Sequence, residues 1–154
     1  MAKNTKEGAL QTEHLVYQTI VDIFMESGWD AVTYGSIAKR TGLSRSGIQR
    51  IVPTKECMIV AFQGQVFSYV TNKIDDTNAD SIKSSWQASL LDAKFANCVR
   101  YLIGAVSADE EGRHKAALGF QRLCSLYGEQ VVIELMGISV ANLLGATLKD
   151  SDPN

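Results

Sequence analysis

This 154-residue chain has only two histidines, two prolines and three cysteines, and each scarcity closes off a class of function. With His14 and His114 alone, general acid–base chemistry has few candidates. Glu111-Gly112-Arg113-His114 has the spacing of one Glu-x-x-His unit of a di-iron bundle, but such a site needs a second unit and further inward carboxylates. Ser36-Ile37-Ala38-Lys39 has the spacing of a Ser-x-x-Lys nucleophile without its companion motifs. No enzyme, catalytic residue, metal or cofactor is therefore expected. Cys57, Cys98 and Cys124 lie far apart with no CxxC or Cys/His pairing, which excludes a zinc site and reads as three reduced, small hydrophobes in a cytoplasmic protein. The opening MAKNTKEGALQTEH holds no apolar run, so no signal peptide is expected. Val131 to Leu148 is the most apolar stretch, but it contains Glu134, which favours a buried helix over a membrane span.

Charge is scarce overall and unevenly placed. The net charge is −2, so the whole surface is a poor polyanion binder. Residues 33–56, however, carry Lys39, Arg40, Arg45, Arg50 and Lys55 against Glu56 alone, while residues 57–154 hold eight basic and eleven acidic side chains. A basic patch on an acidic body reads as a local contact surface.

Hydrophobic residues make up 45% of the chain, enough for one core or for a small module joined to a larger helical body. They recur at three and four positions and alternating strand patterns are absent, so the chain reads as all-α. The first helix spans about Gln11 to Ser27, with Leu15, Val16, Ile20, Ile23 and Phe24 inward and Gly28 as its stop. Thr33 caps a second helix over Tyr34 to Thr41, and Gly42 suits the left-handed position after it. Ser44 caps a third, with Leu43 and Ile48 placed as a hydrophobic staple; Pro53 ends it. Thr54 caps a long fourth helix whose inward stripe is Ile59, Phe62, Val66, Val70 and Ile74. Further helices fall at about 81–90, 92–107, 110–127 and 129–149, with turns at Ser107–Gly112 and Gly128.

The second and third helices form a unit. At about 100° per residue, Arg45, Ser46, Gln49 and Arg50 share one arc of the third helix, and Ile48, Ile51 and Val52 the other side. Arginine can bond guanine bidentately, glutamine can read adenine or hold a phosphate, and a small serine lets a helix approach base edges. A Gly-containing turn between two capped short helices makes a helix-turn-helix. Any short amphipathic helix has a polar outer face; the joint occurrence of turn, caps, basic bias and an arc without Asp or Glu points further.

Residues 20–62, IVDIFMESGWDAVTYGSIAKRTGLSRSGIQRIVPTKECMIVAF, resemble the N-terminal DNA-binding domain of TetR-type transcriptional regulators. The resemblance rests on Gly28-Trp29, Thr33, Ile37-Ala38, Gly42-Leu43-Ser44, and Ile48 through Pro53-Thr54-Lys55-Glu56. It implies that Thr33 and Lys55 hold phosphates at helix N-termini, and that Arg45 and Ser46 sit at the base-reading start of the third helix. Gly47 would allow close approach, and Arg50 would serve base or backbone. Gln49 stands where the family usually has a phosphate-contacting Tyr, and Ile51-Val52 replace its usual His-Phe pair. The candidate DNA-binding set is thus Thr33, Tyr34, Ser44, Arg45, Ser46, Gly47, Gln49, Arg50 and Lys55.

The expected organisation is a helix-turn-helix domain over residues 1–54, then a linking helix and a short C-terminal helical domain over residues 55–154. By the resemblance the latter holds a homodimer interface and a small-molecule pocket. Gly137, Ala141 and Gly145 recur every four residues, with Leu144 and Leu148 nearby, and form the candidate interface; the same stripe also suits internal packing. Phe62, Phe67, Trp86, Phe95, Tyr101, Phe120 and Tyr127 are core or cavity candidates, and so short a C-terminal half leaves little room for a large pocket. Two functions follow: a homodimeric repressor on a near-palindromic duplex site, released by a small-molecule or protein effector, and a helical interaction protein with reduced DNA binding. No membrane partner is expected.

Overall fold

The computed structural model describes residues 6–146, the side chains of residues 61 and 62 apart. Local signals place most helix boundaries. Helix α1 (Lys6–Ser27) stops where Gly28 donates back to the Phe24 carbonyl at 2.8 Å. A short 3-10 turn, Trp29–Ala31, leads to α2 (Tyr34–Thr41), whose Thr33 cap accepts from the Ser36 amide while Ser36 Oγ accepts from the Thr33 amide. Gly42, at φ 74°, takes the left-handed conformation that ends α2 without a Cβ penalty. Helix α3 (Arg45–Ile51) starts at Ser44, whose Oγ accepts from the Gly47 amide. Each such cap is worth about 1 kcal/mol, and two helices this short need them. Helix α4 (Lys55–Asn72) opens at Thr54, whose Oγ1 accepts from the Cys57 amide at 3.3 Å.

Two compact units divide the chain between Tyr69 and Val70. In the first, α1 packs on both α2 and α3. Its core holds Val16, Ile20, Phe24, Val32, Ile37, Ile48, Val52 and Met58, all fully buried. Three details differ from the sequence pattern. Helix α1 is already formed at Lys6, ahead of Gln11; Leu15 is 46% exposed, with Thr19 buried on that face instead; and Met58, not Ile59, enters the core from the first turn of α4. Thr19 goes in because its hydroxyl is satisfied by the Leu15 carbonyl at 2.7 Å.

The second unit is built from α5 (Ala79–Ser89), α6 (Ala93–Gly104), α7 (Glu110–Tyr127) and α8 (Glu129–Leu144), with a 3-10 turn at Ala105–Ser107. Asn78, Asp92 and Asp109 cap α5, α6 and α7. Trp86 and Phe95 meet edge to face, centroids 5.0 Å apart. The Trp86 indole donates to Ser139 Oγ at 2.8 Å, and that hydroxyl donates to the Leu135 carbonyl, so a buried polar pair pins α5 to α8. Lys83 and Glu134 pair across the same helices, which raises the Lys83 pKa and lowers that of Glu134.

Helix α8 is shorter than the sequence pattern suggested. It ends at Leu144, because Gly145 sits left-handed at φ 71° and caps it. Gly145 is therefore a stop and not a step of the small-residue stripe; Leu148 lies outside the described residues. Val132, Leu135 and Ser139 face the core, whereas Ile133, Gly137, Val140 and Leu144 lie exposed on the opposite side. A carbon added at Gly137 would meet nothing within 4 Å. Among the described residues no single helix is long and apolar enough to cross a membrane.

Candidate nucleic-acid interface

The outward face of α3 is what its wheel predicted: Arg45, Ser46, Gln49 and Arg50 are exposed, Gly47 and Ile51 are half-buried, and Ile48 and Val52 are fully buried. The four exposed side chains carry two guanidiniums, a hydroxyl and an amide. Gly47 is close to the cap: a Cβ there would stand 3.0 Å from Ser44 Oγ, so the missing side chain leaves the capping hydroxyl its place. Ser44 Oγ also lies 3.3 Å from Ser46 Oγ.

Around α3, the structure gathers the other candidates unequally. Thr33 is exposed at the start of α2, on the same side as the Arg45 guanidinium. Lys55 is exposed at the start of α4 with its ammonium 5.0 Å from the centre of the Trp29 ring, a cation–π contact that steers the long side chain. Tyr34 turns inward instead. Its phenol donates to the Val52 carbonyl at 2.6 Å, tying the first residue of α2 to the end of α3. Burial first, and then the nearby Glu56 carboxylate among its neighbours, raise its pKa, so the phenol keeps its donor proton.

The basic patch is only partly available. Arg40 pairs with Glu26 of α1 at 2.6 Å, and this bond raises the guanidinium pKa further. Among the described residues, Lys39, Arg45, Arg50 and Lys55 have no carboxylate partner within 4.0 Å. Three features of the structure were missed in reading the sequence. One is Ser36, whose hydroxyl accepts from the Thr33 amide and donates to the Ala31 carbonyl at 2.7 Å, holding the turn before α2 to its first turn. The others are the Tyr34–Val52 tie and the Lys55–Trp29 contact. A capping pair Thr-x-x-Ser is a readable signal for the first; the others join residues far apart in the chain.

The second unit carries an open apolar groove of about 530 Å³, lined by Leu102, Ile103, Val106, Phe120, Met136 and Val140, with Arg113 beside them. That volume lies within the range of ligand pockets, more room than the short C-terminal half led one to expect. Of the aromatic candidates, Phe120 lines the groove, while Trp86 and Phe95 are core.

Two capped helices set at an angle by a left-handed glycine, on an all-helical scaffold, define a helix-turn-helix protein. The profile of the tetracycline repressor LuxT C-terminal domain matches residues 63–143, more than half of the chain. A comparison with curated proteins returns no match. The chain belongs to the TetR family of transcriptional regulators.

Proposed function

We propose that this regulator is a sequence-specific repressor that binds double-stranded DNA as a homodimer, in the cytoplasm and without enzymatic activity. The observation that carries the reading is the exposed arc of α3, with Arg45, Ser46, Gln49 and Arg50 and no carboxylate, beside Thr33 and Lys55 at two helix N-termini. In this reading residues 1–54 form the DNA-binding domain and residues 55–154 the dimerisation and effector part. Arg45, Ser46, Gln49 and Arg50 address base edges and nearby backbone. Thr33 and Lys55 hold phosphates, where helix amides also favour anions. Ser44, Gly47 and Tyr34 set the angle and closeness of approach.

One recognition helix covers half a site, so two must reach major grooves about 34 Å apart. The face of α8 bearing Gly137, Val140, Ala141 and Leu144 supports the dimer, since it points away from the unit's own core. The groove on α6, α7 and α8 supports a small, largely apolar effector, whose binding would favour a dimer spacing that no longer matches successive grooves.

The test is a titration against duplexes selected from a random pool, at several salt concentrations. Tight binding to one near-palindromic sequence, weakening steeply with salt, is expected. Equal, weak affinity for every duplex would refute the repressor reading and favour the interaction protein. Lys55→Ala should weaken binding alike on all sequences, whereas Arg45→Ala should relax preference at a particular base pair.

A further inference from the structure

Gly35, in the first turn of α2, has ordinary helical geometry, so no turn requires a glycine there. What a side chain would meet explains it better. A Cβ built on Gly35 stands 3.1 Å from Arg45 Nη2, 3.6 Å from Arg45 Cζ and 3.7 Å from Thr33 Oγ1. The guanidinium of the first residue of α3 therefore reaches back over the first turn of α2, to the edge of the space that a side chain at 35 would occupy. Nothing else in the described residues holds it by charge: it has no carboxylate partner within 4.0 Å, and the positive end of α2 beneath it does not attract a cation. Its place is set by space, and the space is the missing side chain.

We infer that Gly35 is a specificity-determining residue that acts through Arg45, by leaving the seat from which the guanidinium presents its donors to the duplex. This rests on the DNA-binding reading above. An arginine tells base pairs apart only if its flat fork meets both acceptors of one base edge, so a sub-ångström change in where the fork starts changes what it can pair with. Alanine at 35 asks for a displacement of a few tenths of an ångström, which a long side chain can absorb. Leucine fills the seat with four carbons and moves the guanidinium off it. Both residues favour helix over glycine, so neither variant is expected to lose the fold.

The experiment compares wild type, Gly35→Ala, Gly35→Leu, Arg45→Ala and the Gly35→Leu/Arg45→Ala double variant. Each is titrated against the wild type's selected duplex and against that duplex changed at each base pair in turn, with far-UV circular dichroism as the fold control. Arg45→Ala identifies the base pair that Arg45 reads. Gly35→Leu should lose preference at that same pair by about tenfold, and should cost no more than about twofold when Arg45 is already alanine. Gly35→Ala should stay within about threefold of wild type. The inference is overturned if the losses from Gly35→Leu and Arg45→Ala multiply, or if Gly35→Leu weakens all duplexes evenly. A wild type with no preferred duplex would overturn the DNA-reading function and this inference with it, so the two failures are distinguishable.

Discussion

Tyr34→Phe tests whether the tie between α2 and α3 acts as the geometry requires. The substitution keeps the ring and removes one hydroxyl, the donor to the Val52 carbonyl at 2.6 Å. A protein hydrogen bond contributes about 0.5–1.5 kcal/mol net, and this one joins residues 18 apart in a half-buried place. The N-terminal unit ends at Tyr69; for a domain of that size a loss of about 1 kcal/mol lowers the melting midpoint by roughly 4–8 °C. The pH dependence has a definite sign. The folded-state pKa of Tyr34 is raised from 10.0 by burial first, so its contribution is complete below the unfolded value and fades as pH climbs through the raised one. Tyr34→Phe should remove that alkaline limb. At a temperature where both proteins are folded, duplex affinity should change by no more than about twofold, because the phenol points into the protein. A variant that melts like wild type but loses affinity on every duplex would refute this, and would make Tyr34 a DNA contact.

Other outcomes follow from the second unit. Ser139→Ala strands the buried Trp86 indole N–H, and should cost about 1–3 kcal/mol in urea unfolding; a loss of the same size in a Trp86→Phe background would show that the hydrogen bond is not the cause. Lys83 holds the Glu134 carboxyl below its usual range, so that pair stabilises above the ordinary glutamate pKa and its contribution is lost as pH falls through the lowered value. Glu134→Gln should therefore weaken the acid dependence of the unfolding midpoint. Burial pushes the Cys98 thiol up to about 12, whereas Cys57 is exposed; a thiol reagent at neutral pH should label Cys57 in the native protein and Cys98 only in denaturant. Leu144→Arg, at a side chain 78% exposed, should leave the helix content intact and shift sedimentation to monomer. An unchanged profile would remove the α8 face as the interface.

What could be read from the sequence was mainly what neighbours along the chain decide. Caps at Thr33, Ser44 and Thr54 and the stop at Gly42 depend on side chains within four residues of the atoms they serve, so α2 and α3 were legible almost to the residue. The outward arc of α3 was legible for the same reason. Errors appeared where one residue type has two uses. Gly145 fits a small-residue stripe and a left-handed stop equally well, and only the backbone distinguishes them. Leu15 and Thr19 are adjacent on the wheel of α1, and a hydroxyl that can bond the preceding turn is as easily buried as a leucine. The seat at Gly35, the Tyr34–Val52 tie and the Arg40–Glu26 pair were not legible, because each needs the distance between two helices.

That last pair has a thermodynamic consequence for the whole interface. Each phosphate neutralised by a protein cation releases condensed counterions and contributes about 0.9 to the fall of log K with log salt. Five cations all placed on phosphates would give at most about 4.5 per protomer, but Arg40 already has Glu26 as its counterion, which lowers that ceiling to about 3.6. On the proposed DNA-binding reading, Glu26→Gln should free Arg40 to neutralise a phosphate and steepen the dependence by nearly one power of salt per protomer. On that same reading, an acidic residue on a helix outside the helix-turn-helix would thus set the range of ionic strength over which the protein stays on its site.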